Sequence, residues 1–176
     1  MKKLFNFFPV MVLLFLFTSC EPDNVQPQTA DSAISSADAK KADNYTAHLR
    51  PEEETNQPVV SNATGQIILK LSKDGTQLYY KLIVANIETV VAAHLHLGAE
   101  GVSGPVVVPL FAAPAGSPLV SPQGILAEGI ITSSSLTGSL KGKTLTDLIA
   151  AIEAGLIYTN VHSVKYPGGE IRGQVK

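Results

Sequence analysis

The chain of 176 residues carries a single cysteine, Cys20. One cysteine cannot close an internal bridge, so the folded part is expected to hold together by packing alone, and nothing supports thiol catalysis or a cysteine-ligated metal. Histidine is sparse, with four in total. There is no run of basic residues, and the 13 basic side chains are outnumbered by 15 acidic ones. That balance disfavours nucleic acid and anionic lipid headgroups as partners. No apolar stretch reaches the roughly 20 residues of a membrane-spanning helix. No repeat at solenoid spacing is present. G-x-S-x-G, H-E-x-x-H, G-x-G-x-x-G after a strand and a phosphate loop are all missing. The glycine-rich segment Gly98–Gly104 precedes no helix that could hold phosphate at its N-terminus. Ser133-Ser134-Ser135 has no partner pattern and reads as an exposed connection. These absences argue against an enzyme.

What is present begins with an export pattern. Lys2 and Lys3 precede Leu4–Phe17, an apolar run of about 14 residues broken by Asn6 and Pro9, the length of a signal-peptide core. Thr18 and Ser19 are small, and Cys20 follows them. Phe17-Thr18-Ser19-Cys20 resembles the bacterial lipobox, with Phe17 where that motif usually has Leu. The resemblance implies a lipoprotein signal peptide over 1–19 and acylation of Cys20 by diacylglyceryl and palmitate-type chains. It also implies anchorage to a bacterial membrane outside the cytoplasm, on the outer membrane or the periplasmic face. The competing reading is an ordinary secretory signal with a chance cysteine. Residues 20–43 are rich in Ser, Ala, Asp, Gln and Pro, with Val25 and Ile34 as their large aliphatics. Such a segment buries too little apolar surface to order itself and reads as a flexible spacer.

Residues 44–176 have a different texture and are long enough for one domain with its own core. Tyr45–Leu49 reads as a first strand. Thr64–Ser72 and Thr76–Ala85 flank Lys73-Asp74-Gly75 as a hairpin, with Leu78, Tyr80, Leu82 and Val84 on one face. Further strands are expected over Thr89–Leu97, Pro105–Phe111, Gly124–Thr132, Leu156–His162 and Gly169–Val175. Val106, Val107 and Val108 suggest burial on both faces. One helix is expected: Thr144 and Asp147 form its cap, Leu145, Leu148, Ile149 and Ile152 its apolar stripe, and Gly155 its stop. About eight short strands and one short helix predict a mainly β fold, an antiparallel β-sandwich or a closed barrel.

Two segments carry more identity than the rest. One is Ala93-His94-Leu95-His96-Leu97-Gly98, running on to Gly104-Pro105-Val106-Val107. The other is Tyr158-Thr159-Asn160-Val161-His162-Ser163, followed by Pro167-Gly168-Gly169-Glu170-Ile171-Arg172-Gly173-Gln174. With Leu49, Glu54, Pro58-Val59 and Ala63-Thr64-Gly65 upstream, this order of motifs resembles the chordin-type CHRD domain over essentially all of 44–176. Arg50-Pro51-Glu52-Glu53 departs from the smaller residues expected there. The resemblance implies an extracytoplasmic module. In the animal protein that names the family such domains sit in an extracellular growth-factor antagonist, and the bacterial members are mostly exported proteins without assigned chemistry. The expectation is therefore a non-catalytic binding or structural module of the cell envelope, with a protein or glycan ligand and no cofactor.

Strand alternation puts His94 and His96 on one face, with Leu95 on the other. If the last strands run nearby, His162 adds a third imidazole, and such a set suits a single Zn or Cu ion. Against this stands a structural reading, in which the three histidines join Glu170 and Arg172 in one polar network that fixes strand register. An H-x-H strand in a sandwich is also similar to copper/zinc superoxide dismutase, but that enzyme's two-metal cage takes more histidines than this chain has. His48 stands apart and reads as a surface residue.

Overall fold

The computed structural model describes residues 44–115 and 121–176. The expected signal peptide, Cys20 and the spacer to residue 43 lie outside the described residues. Among the described residues, eight strands and one α-helix follow in the order β1 (Asn44–Leu49), β2 (Thr64–Leu71), β3 (Leu78–Ala85), β4 (Val90–Leu97), β5 (Val106–Ala112), β6 (Gly124–Ile131), α1 (Leu145–Glu153), β7 (Ile157–Ser163) and β8 (Ile171–Gln174).

They form two four-stranded sheets, β1-β2-β3-β6 and β5-β4-β7-β8, with every pairing antiparallel. Of the two architectures the pattern allowed, this is the sandwich. The sheets meet along one side, where β1 and β8 exchange backbone bonds between Thr46 and Lys176 (2.8 and 3.0 Å) and between Arg50 and Arg172 (2.8 and 3.0 Å). Strict alternation builds the core. Leu78, Leu82 and Val84 of β3, Ala93 and Leu95 of β4, and Ile157 and Val161 of β7 all point inward and are buried.

The β2–β3 hairpin forms where expected. Asp74 Oδ1 accepts bonds from Ser72 Oγ (2.7 Å), Thr76 N (3.0 Å) and Thr76 Oγ1 (2.8 Å), so one carboxylate organises the whole turn. In α1, Thr144 Oγ1 accepts from Asp147 N and Asp147 Oδ2 accepts from Thr144 N at 2.8 Å, a reciprocal capping box. Leu145, Leu148, Ile149 and Ile152 are buried in the common core. Gly155, in the left-handed region at φ 69°, ends the helix. Three short 3₁₀ turns, Pro51–Glu53, Ser133–Ser135 and Gly138–Leu140, had no periodic signal in the sequence. The Ser133-Ser134-Ser135 connection is one of them, and Ser133 Oγ accepts the Leu145 N–H at 3.1 Å.

The three consecutive valines have a local explanation. β5 carries extra residues opposite two steps of β4, between Ala93 and His94 and between Leu95 and His96. Each bulge resets the alternation, so Val107 and Val108 are both buried although adjacent. β5 is an edge strand, which is also where its Pro109 can be accommodated.

Candidate functional site

The same alternation that sends Ala93 and Leu95 into the core turns His94 and His96 to the outer face of the second sheet. On β7 the outward set is Tyr158, Asn160 and His162. Register then decides who meets whom: Asn160 lies opposite His94, Tyr158 opposite His96, and His162 opposite Ala92. Ala92 is small, and the His94 ring occupies the space beside His162. The rings of His94 and His162 lie 5.0 Å apart, those of His94 and His96 5.5 Å, and those of His96 and His162 6.2 Å. One ring nitrogen from each lies within 4.8 Å of the other two. The three histidines paired by sequence alternation and guessed proximity are thus together. His48 is exposed on β1, in the other sheet.

Hydrogen bonds assign the tautomers of two rings. His96 Nδ1 lies 2.9 Å from the Gly104 carbonyl and His162 Nδ1 lies 3.0 Å from the Pro167 carbonyl. A carbonyl only accepts, so both Nδ1 atoms carry the proton and both Nε2 atoms keep a lone pair. His162 Nε2 sits 3.1 Å from His94 Nδ1, which then donates to it. His96 Nε2 is buried and makes no hydrogen bond of good geometry among the described residues, although the Asn160 side chain lies near the ring. An unsatisfied buried polar atom of this kind costs about 1–3 kcal/mol.

All three rings resist protonation. Burial holds His94 down at about 4, helped by the proximity of His162 and His96. Burial also lowers His96 and His162, although the bonds to Gly104 and Pro167 oppose it. At neutral pH the cluster is three neutral imidazoles.

Arg172 and Glu170 have separate partners. Arg172 is 2% exposed. Its guanidinium donates to Thr55 Oγ1 (3.0 Å) and to the Ala99 (3.1 Å) and Val102 (2.9 Å) carbonyls, and it stacks 3.5 Å from the Tyr158 ring centre. Tyr158 in turn stacks on His96 at 4.8 Å with its plane only 12° away. Arg172 therefore supports His96 through Tyr158. Glu170 precedes β8, where alternation does not apply. Its carboxylate accepts from Ser61 Oγ at 2.6 Å and from Ser163 Oγ in a short bond. The loops above the face are laced together, with Ser103 Oγ donating to Asn56 Oδ1 (2.6 Å) and Asn56 Nδ2 to the Gly168 carbonyl (2.9 Å).

Two residues that the sequence reading quoted only for the family resemblance turn out to neighbour the site. Asn160 shares a face with His162 by the two-residue rule, so its signal was available in Tyr158-Thr159-Asn160-Val161-His162; its Oδ1 is buried without a hydrogen bond of good geometry among the described residues. Glu54 gave no periodic signal, because it reaches the site from a loop. Both its oxygens are buried without a hydrogen bond of good geometry among the described residues, although the Asn160 side chain and the Thr55 backbone lie near them. Burial raises its carboxyl to about 7, against the pull of the Arg172 charge and of Asn160 and Thr55.

Glu54 yields a signed prediction. The folded state holds the Glu54 proton more tightly than the unfolded chain, whose carboxyl ionises near 4.5. Stability from this group is therefore full below 4.5 and is lost as pH rises towards 7. Glu54→Gln does not ionise. Its stability relative to the parent chain is expected to climb by about 2 kcal/mol between pH 4.5 and 7.5, after allowance for solvent around the side-chain stem. Urea midpoints across that range measure it, and a flat difference would refute it.

With this geometry in place, comparison with known families finds that the model of the CHRD domain matches residues 45–175. No curated protein and no solved structure matches the chain.

Proposed function

The chain belongs to the CHRD domain family, and from that membership we propose that it is a non-catalytic binding or structural module of the cell envelope, displayed outside the cytoplasm on a lipid carried by Cys20. The observation behind the proposal is the family match over residues 45–175, which takes in nearly all of the folded part. The pattern of residues 1–20 supports the address, and the composition of 20–43 supports a loose tether. A diacylated N-terminus buries enough methylene groups, at about 0.8 kcal/mol each, to hold a module stably at a bilayer. The ligand on this reading is a protein or glycan outside the cell membrane.

Cell fractionation tests the display. The parent chain is expected in the membrane fraction and Cys20→Ser in the soluble extracytoplasmic fraction. Membrane retention of Cys20→Ser would overturn the anchor. Substrate turnover abolished by a point change within 44–176 would overturn the non-catalytic reading.

A further inference from the structure

We infer that His94, His96 and His162 form a binding site for one divalent first-row cation of the Cu²⁺ and Zn²⁺ class, built into the outer face of the second sheet. This goes beyond the display module and does not depend on the anchor.

Four observations carry it. The first is convergence. A metal–imidazole bond of about 2.0–2.1 Å sets ligand nitrogens about 3.3–3.6 Å apart in trigonal or tetrahedral geometry. His94 Nδ1 and His162 Nε2 are already 3.1 Å apart, and the whole set lies within 4.8 Å. Closing the widest gap takes about 1.3 Å, which a χ1 rotation of about 20° supplies within one rotamer well.

The second is the outer hydrogen bonding. Metal-bound imidazoles characteristically give their remote N–H to a carbonyl or carboxylate, which fixes the ring and raises its basicity. His96 and His162 already do so, to Gly104 and Pro167. His94 has only to move its proton from Nδ1 to Nε2 to complete the set.

The third is His96 Nε2, which is buried and makes no hydrogen bond of good geometry among the described residues, although the Asn160 side chain lies near the ring. A polar network that served only to fix register would be satisfied throughout. This one keeps a buried lone pair on His96 beside the hydrogen-bonded pair His94–His162, with a ring nitrogen of each residue within 4.8 Å of the others.

The fourth is the donor chemistry. Three neutral imidazoles with no thiolate favour Zn²⁺ or Cu²⁺ over the hard cations Ca²⁺ and Mg²⁺. Three protein ligands leave a fourth position free.

The test is titration of the full chain in a Cys20→Ser background, so that no thiol competes, with ZnCl₂ and separately CuSO₄ in metal-free buffer. One equivalent is expected to bind, for one metal or both. His96→Ala and His162→Ala are expected to weaken it by at least about 100-fold, while His48→Ala binds as the parent does. In the parent protein, ¹⁵N imidazole spectra are expected to show His96 and His162 Nε2 shifting with one equivalent of metal, a readout that needs no variant to fold. Absence of stoichiometric binding, retained affinity in a folded His96→Ala, or unmoved imidazole resonances would each overturn the site.

Discussion

Replacing Arg172 by alanine is expected to cost about 4 kcal/mol, a large part of the roughly 5–15 kcal/mol that holds a domain of this size. The guanidinium is almost wholly buried. It ties two loops to one sheet: Thr55 on one, and Ala99 and Val102 on the other. Alanine leaves those two carbonyls without their donor, opens a cavity, removes the cation from the face of Tyr158 and strips Glu54 of its counter-charge. Breaking a buried charge arrangement from one side typically costs about 3–5 kcal/mol. Lysine is expected to recover little, because an ammonium cannot copy a planar fork that bonds and stacks at once. Denaturant midpoints with an unchanged slope measure the loss. A cost below about 1 kcal/mol for Arg172→Ala would show that the loops hold themselves.

Gly104→Ala is expected to be nearly as damaging, at about 3 kcal/mol or more. A Cβ at this position would run into the Leu97 carbonyl, where the base of the β4–β5 hairpin doubles back and Leu97 N–H bonds to the Pro105 carbonyl at 3.0 Å. The obstacle is backbone on both sides, so no side chain can step away. The Gly104 carbonyl must then move, and it is the acceptor that fixes the His96 tautomer. Stability and the state of the His96 ring should fall together, read by thermal melting and by the imidazole ¹⁵N spectrum. Gly101→Ala is the contrast. That glycine is at φ 74° with open space around it, so alanine meets only backbone strain of about 1–2 kcal/mol, and the His96 spectrum should stay unchanged.

Both variants act where distant segments meet, and that is where sequence reasoning stops. Strand alternation is set by one residue's dihedral angles and its neighbours, so it can be read locally. It placed Leu78, Tyr80, Leu82 and Val84 on one face and His94 with His96 on another. The cap of α1 was equally local, since Thr144 and Asp147 are three residues apart. Glu170 shows where the rule ends. Two-residue spacing from Arg172 suggested a shared face, but Glu170 lies just outside β8, and its carboxylate goes to Ser61 and Ser163 instead. Glu54 and the bulges of β5 were likewise out of reach, because loop paths and bulges answer to packing rather than to periodicity.

The sequence by itself determined the mainly β character, the strand positions, the single capped helix, the CHRD motifs and the two histidines that β4 presents side by side. Only the tertiary structure chose the sandwich over the barrel, sent Glu170 and Arg172 to different partners, and brought His162 to His94. The physical reason is register. Which residue of β7 faces which residue of β4 depends on a pairing across more than 60 positions of chain, and a one-residue slip would have turned Tyr158, Asn160 and His162 into the core. Inward-facing Ile157 and Val161 hold that register by their burial, and the histidine cluster is its consequence.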